Sequence, residues 1–276
     1  MLQEFSNKVA VITGAGSGIG AALARGFGGL GMTVVAADIN GENAAATAAS
    51  LGTDAHSFTV DVANGDSVQQ LADFCFKELG QVDLLINNAG VFQGGLTWER
   101  SVEDWQWTMG VNVYGIIHAI RSFVPRMIAQ DTEGHVVNTA SVAAYVAGPM
   151  SAPYVVSKCT AMAVTECLAL DLEMTGSKIG ASVLTPSSFN TGIAKTANLR
   201  PAELGTDTTE DGIACAEALQ SMLDIGASPD DAFQPVLDGI KTGEYLIPTK
   251  PSYKQQLSTR FNALMERTLP PMSELD

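Results

Sequence analysis

The sequence predicts an α/β fold in which one doubly wound parallel sheet carries helices on both faces, with a long excursion after the sixth strand. Three observations predict it. Short β-branched apolar runs alternate with longer helical segments along most of the chain. The first run, Lys8 to Thr13, is apolar and β-branched and ends in glycines, as a strand buried on both faces does. A helix pattern follows those glycines at once, so strand, tight turn and helix stand in the order of a Rossmann-like unit.

The elements follow in register. Gly18 to Leu30 is small and apolar and reads as the first helix. Thr33 to Ala37 is the second strand, closing at Asp38, and Glu42 to Leu51 is an Ala-rich helix. Ala55 to Val60 is the third strand. Ser67 to Leu79 is a helix with Val68, Leu71, Ala72 and Cys75 on one face. Val82 to Ile86 is the fourth strand. A long helical stretch from Val102 to Ala129 is expected to break near Pro125. Gly134 to Thr139, Ala152 to Met174 and Ile179 to Leu184 read as strand, helix and strand. From about 187 to 228 the pattern weakens, with one helix expected at Thr208 to Leu223. Such an excursion lies at a strand's carboxyl end, where open α/β sheets bind ligands, and reads as a substrate lid. Glu244 to Pro248 forms a last short strand, and the extension from about 249 to 276 carries a helix at Tyr253 to Thr268 and a frayed tail after Pro270. Residues 1–276 are expected to form a single domain.

Composition excludes several partner classes. The 276 residues carry 30 acidic against 15 basic side chains, a net charge of −15. That field repels nucleic acid and anionic lipid. No run of about 18 apolar residues exists to span a bilayer. Cys75, Cys159, Cys167 and Cys215 form no C-x-x-C pair, and His56, His118 and His135 form no metal-ligand set, so free thiols and no metal are expected. The first residues lack a signal-peptide pattern, and a cytoplasmic location is expected.

The segment Thr13-Gly14-Ala15-Gly16-Ser17-Gly18-Ile19-Gly20 fits T-G-x-x-x-G-x-G. Glycines let the backbone approach a pyrophosphate, and the helix N-terminus offers N–H groups and a partial positive charge. A tight turn without a ligand is the competing reading, and the strand–turn–helix context favours the dinucleotide. Asp38 lies about 20 residues beyond, where a carboxylate accepts hydrogen bonds from ribose hydroxyls and repels a 2′-phosphate. No cation stands at Ile39 or Asn40, so NAD is expected over NADP; otherwise Asp38 is a turn or cap residue.

Tyr154 and Lys158 stand four apart, on one face of the predicted helix. An ammonium about 4 Å from the phenol, at an effective dielectric near 20, would contribute roughly 4 kcal/mol and draw the hydroxyl pKa toward neutrality. That is what a general acid–base requires. Tyr145 and Tyr114 have no lysine at the corresponding place, but Pro149 and His118. Ser141 ends the fifth strand, where a hydroxyl can meet the reacting oxygen; alone it reads as a turn serine.

The glycine loop, Asp61-Val62, Asn87-Asn88-Ala89-Gly90, Asn112, Ser141, Tyr154 and Lys158 together resemble the short-chain dehydrogenase/reductase family over about residues 5 to 195. The resemblance implies that Asp61 and Val62 contact adenine and that Asn88, Ala89 and Gly90 border the cofactor. It implies that Asn112 holds a water in a proton relay and Ser141 orients the substrate oxygen. Tyr154 would transfer the proton as hydride moves, and Lys158 would bind the nicotinamide ribose. Pro186, Phe189 and Thr191 would complete the nicotinamide side. Individually, Asp61 also reads as a cap and Asn112 as a helix-bending polar residue. Pro186-Ser187 departs from the family's Pro-Gly, and the glycine-rich C-terminal ending, which packs between subunits, is missing. A homodimer through the long helices or a homotetramer is expected. The ending Glu244-Tyr245-Leu246-Ile247-Pro248, with Val124 to Ile128 and Leu199 to Ala202, is more loosely similar to bacterial Cα-dehydrogenases of lignin-derived aryl ethers.

Val142 to Ala147, with Phe189, Ile193, Ala194 and Leu199, imply a roomy apolar pocket for a bulky secondary alcohol or its ketone. Steroid, terpene and sugar alcohols are the alternatives within this chemistry. A dinucleotide-binding regulator without turnover, and a hydro-lyase or epimerase, are the alternatives outside it. Trp98, Trp105 and Trp107 are expected to serve packing rather than substrate stacking.

Overall fold

Val9 to Thr13 of the first apolar run are all buried and form strand β1 (Val9–Thr13). The computed structural model describes residues 2–52, 54–205 and 207–272; the end of the tail expected to fray, from 273, lies outside the described residues. β1 leads through the glycine turn into α1 (Gly18–Gly29), and β2 (Thr33–Asp38), α2 (Gly41–Leu51), β3 (Ala55–Thr59) and α3 (Gly65–Phe74) follow. β4 (Leu84–Asn87) precedes α4 (Val102–Met109) and α5 (Gly115–Ala129). After them come β5 (Gly134–Thr139), α6 (Ala152–Met174), β6 (Ile179–Thr185), α7 (Glu210–Asp224), α8 (Phe233–Thr242), β7 (Leu246–Pro248) and α9 (Tyr253–Met265).

The seven strands stand in the order β3-β2-β1-β4-β5-β6-β7, and all pairings are parallel. Side chains alternate across the sheet and so divide the core in two. Ala10 and Ile12 of β1, Ile86 and Val137 face Leu23, Phe27, Val236 and Ile240 on one side. Val9 and Val11, Leu85 and Val136 face Leu71, Phe123, Met127 and Leu168 on the other. Phe27 is fully buried and meets Phe233 edge-on at 5.2 Å. Burying such a ring stabilises the fold by about 1.5–3 kcal/mol. The strand order reverses between β1 and β4, which opens a crevice at the carboxyl edge.

Three expectations need correction. α5 runs through Pro125 without a break; the irregularity lies earlier, in a π turn at Gly110–Tyr114 where the Gly115 N–H reaches the Gly110 carbonyl. The helix expected to reach Leu79 is α-helical only to Phe74 and ends in a second π turn, Cys75–Leu79. α8 was not expected at all, because Pro235 and Gly239 make its sequence read as loop. Pro235 falls in the first turn, where its missing N–H has no intrahelical partner to lose. Gly239 lets the helix lie against Ile247, whose Cγ1 would be 2.5 Å from any Cβ there. α8 is thus the crossover that makes β7 parallel to β6. Among the described residues no helix is long and apolar enough to cross a membrane.

Candidate active site

The ends of β1 and β4 are stitched together at the reversal point. The Thr13 hydroxyl accepts the N–H groups of Asn88 at 3.0 Å and Ala89 at 3.2 Å. The Asn88 amide donates to the Thr13 and Gly14 carbonyls at 3.2 and 3.4 Å. This leaves no room for side chains on the glycine loop. A Cβ on Gly14, where φ is +66°, would stand 2.8 Å from the Ala89 Cα. One on Gly16 would stand 2.8 Å from the Asp38 carboxylate, and one on Gly20 would strike the Gly14 carbonyl.

Asp38 is held by the same loop. One carboxylate oxygen accepts from the Gly16 N–H and the other from the Asn40 N–H, both at 2.9 Å. α2, α3, α4 and α7 begin on side-chain caps from Asn40, Asn64, Ser101 and Thr209. α1 begins on Ser17 with no side-chain cap and no acidic residue in its first turn. Ser17, Gly18 and Ile19 line the crevice, so the first N–H groups of α1 point a partial positive charge to where an anion can bind. Glycine cradle, uncapped helix end and the Asp38 carboxylate together fit a dinucleotide.

β5 ends where Ser141 begins a short 3₁₀ turn, and its hydroxyl accepts the Ala143 N–H at 3.1 Å. Tyr154 and Lys158 rise on the first turns of α6. Lys158 is buried, and its Nζ donates to the Thr139 carbonyl at 3.0 Å and lies 5.6 Å from the Tyr154 ring centre. Burial pushes the Lys158 ammonium down to about 8. Burial also raises Tyr154, and the Ser141 hydrogen bond opposes it only in part. The direction is opposite to the lowered tyrosine expected from the spacing, because desolvation is its largest cause.

Asn112 sits in the π turn behind this cluster. Its amide oxygen accepts the Val91 N–H at 2.8 Å, and its Nδ2 donates to the Val91 carbonyl and the Ser157 hydroxyl, each at 2.9 Å. The side chain thereby spends both its amide hydrogens on the protein. It joins the loop after β4 to α6, one residue before Lys158.

The crevice continues into an apolar chamber, and the whole cavity measures about 910 Å³. Phe92, Trp107, Val142, Val146 and Val155 wall the chamber, with Ile193 and Leu199 above and Leu219 and Met222 of α7 closing it. The Phe92 ring lies 5.1 Å from that of Tyr154. Lys158 and Lys195 are the only cations among the described lining residues.

A family model described as short chain dehydrogenase matches residues 8–202. The chain belongs to the short-chain dehydrogenase family. Its members are oxidoreductases, and the similarity extends beyond the matched segment. A solved short-chain dehydrogenase/reductase from Burkholderia phymatum, in complex with NAD, is 38% identical, covers 99% of this chain and 100% of its own, and superposes with a TM-score of 0.95. The C alpha-dehydrogenase of Sphingobium sp. strain SYK-6 is 31% identical over 99% of this chain and 90% of its own length. A 1-deoxy-11-beta-hydroxypentalenate dehydrogenase of Streptomyces exfoliatus is 37% identical over 68% of this chain and 70% of its own.

Within this short-chain dehydrogenase, most residues singled out in the sequence meet at one cavity. Gly14, Ser17, Gly18, Ile19, Asp38, Asp61, Val62, Asn88, Ala89 and Gly90 line one half. Ser141, Tyr154, Lys158, Pro186, Phe189 and Thr191 line the junction with the other. Gly20 and Asn112 do not; both stand behind the wall and shape it. Of the apolar residues expected, Ala144, Tyr145 and Ala194 are not in the lining. Phe92, Trp107 and the α7 residues were missed. Trp107 was read as packing, and it does pack, but against the chamber, under the Arg200 guanidinium at 5.6 Å. No local pattern marks these residues, since the fold brings α4 and α7 to the site from far apart in the sequence.

Proposed function

We propose that this protein is an NAD-dependent alcohol dehydrogenase/ketone reductase that interconverts a bulky, apolar secondary alcohol, aryl-alkyl first among the candidates, and its ketone. The observation that carries the reading is the meeting of Ser141, Tyr154 and Lys158 at the junction between a dinucleotide-shaped crevice and an apolar chamber. NAD supplies the hydride acceptor and its reduced form the donor. Gly14 and the α1 N-terminus receive the pyrophosphate, and Asp38 the adenosine ribose. Asp61 and Val62 border adenine, while Asn88, Ala89, Gly90, Pro186, Phe189 and Thr191 enclose the nicotinamide side.

The Ser141 hydroxyl holds the substrate oxygen, and Tyr154 takes its proton during oxidation and returns it during reduction. Lys158 holds the nicotinamide ribose and, as an ammonium, favours the tyrosinate once the proton has left. Asn112 acts on this group through Val91 and Ser157. Residues 187–228 form the substrate lid, on a single domain. Apolar walls favour hydrocarbon and aromatic substituents over sugar alcohols. A carboxylate-bearing substrate would find no cation in the chamber beyond Lys158 and Lys195. The four free thiols suit the cytoplasm. Tyr114, Ile128, Val156 and Leu170, exposed on and beside α5 and α6, suit a homodimer or homotetramer, which light scattering decides.

The test is NADH formation at mildly alkaline pH across benzylic, steroidal, terpenoid, sugar and aliphatic secondary alcohols. Aryl-alkyl preference supports the full reading. Preference for another class keeps the chemistry and discards the substrate. Tight NAD binding with no turnover of any alcohol or ketone overturns the reading in favour of a regulator, and substrate conversion without net NADH change in favour of a lyase or epimerase.

A further inference from the structure

A cluster of charges is buried beside the chamber. The Arg100 side chain has no exposed surface and meets Asp207 and Asp211, with the Thr209 hydroxyl at 2.6 Å and Asp104 at 3.9 Å. Arg200 is 5% exposed and meets Asp104, the Gln93 amide oxygen at 3.2 Å and the Leu204 carbonyl at 3.0 Å. Gln93 donates to Asp207 at 2.8 Å, and the Leu96 N–H to Asp211 at 2.7 Å.

Most of these bonds join the segment between β4 and the start of α4 to the lid. The two segments are far apart in sequence and touch here through side chains that are largely buried. Backbone accommodates the contact. Gly95 sits at φ +116°, where a Cβ would stand 2.5 Å from the Arg100 guanidinium carbon and 2.7 Å from Asp211. Arg100 is suited to the place because a guanidinium addresses two carboxylates in one plane, which an ammonium does not. Burial would raise Asp207, but hydrogen bonds from Thr209 and Gln93 and the Arg100 charge hold it below the usual carboxylate range. Both carboxylate and cation are therefore charged in the assembled site, and loss of either strands the other.

The network reaches the chamber through its neighbours. Leu199 and Pro201, on either side of Arg200, line the cavity. Phe92, next to Gln93, packs on Tyr154, and its N–H donates to the lid hydroxyl of Thr196 at 2.9 Å. Nothing in the network touches the glycine loop or Asp38.

We propose that Arg100 is a positioning residue: by clasping Asp207 and Asp211 it fixes the lid and Phe92 over Tyr154, and so sets the shape and selectivity of the substrate chamber before a ligand arrives. This rests on the dehydrogenase reading above. The test uses the full chain carrying Arg100→Gln, Asp207→Asn or both. Without NAD, hydrogen exchange at residues 192–224 should rise by about tenfold or more, while residues 9–38 keep their protection. NAD affinity by calorimetry should stay within about twofold. For the best alcohol, KM should rise about tenfold with kcat within about threefold, and preference for bulky over small alcohols should narrow. The double variant should be no worse than the worse single one.

Unchanged exchange at 192–224 in a folded variant overturns the proposal, and so does a fall in NAD affinity that matches the rise in KM. Asp207→Asn changes no shape and decides the matter where Arg100→Gln fails to fold. Exchange and NAD affinity need no substrate, so a clasp that loosens in a protein turning over no alcohol refutes the dehydrogenase reading alone.

Discussion

The two halves of the cavity are built by opposite means. The crevice between β1 and β4 is made of backbone: glycines without room for a Cβ, a helix end without a cap, one aspartate anchored by main-chain N–H groups. The chamber beyond it is made of side chains, apolar inside and held from outside by two buried arginines and three aspartates. Backbone geometry admits few residue types at each place. A side-chain wall admits many, provided volumes and charges balance. The dinucleotide half is therefore constrained locally, and the substrate half is free to vary.

Substitutions can break this division, and the largest effect belongs at the junction. Tyr154→Phe should lower kcat by about 10²–10⁴ with NAD affinity unchanged, measured by steady-state kinetics and calorimetry. Next stands Asp38. Replacing Asp38 by Ser together with Ile39 by Arg should swing the ratio of kcat/KM for NAD over NADP by about a hundredfold toward NADP, with the alcohol preference intact. A change in alcohol preference there would mean that the halves are not separate.

Gly20→Ala pushes a methyl group into the Gly14 carbonyl. It should weaken NAD binding by about tenfold or more and lower Tm, leaving exchange in the lid untouched. Lys158 offers a pH test. Its folded pKa of about 8 lies below the ordinary 10.5, so between those values the unfolded chain holds more protons. Lys158 should therefore contribute stability that rises with pH across that window, read as the difference between thermal melts of the NAD-free protein and of Lys158→Met, because buried Cys75, raised to about 12, contributes the opposite slope above pH 9. The smallest effect belongs to the chamber wall. Leu219→Ala should raise KM for a bulky alcohol several-fold, at about 1 kcal/mol for lost apolar contact, and leave NAD kinetics alone.

The same contrast explains how far the sequence could be read. The strand order, the glycine loop, Asp38 and the pairing of Tyr154 with Lys158 follow from spacings within one or two elements. α8 was hidden because Pro235 and Gly239 signal loops, although one falls in a first turn and the other against Ile247. The kink assigned to Pro125 belongs instead to Gly110–Tyr114, where Asn112 is drawn toward Val91 and Ser157. The tyrosine was expected to be acidic because a helical spacing gives the distance to a cation but not the water removed around both. The clasp of Arg100 on Asp207 was invisible, since nothing local distinguishes those residues from any solvated charge.

The bare start of α1 bears on the lifetime of the protein. An anion that fills those N–H groups finishes a helix as well as occupying a site. A ligand at a hundred times its Kd adds about 2.7 kcal/mol to the folded state by mass action. A chain caught without its dinucleotide opens more often and meets proteases sooner. Its abundance in a cell should therefore track the supply of that dinucleotide, and depletion of the coenzyme pool should remove the protein as well as idle it.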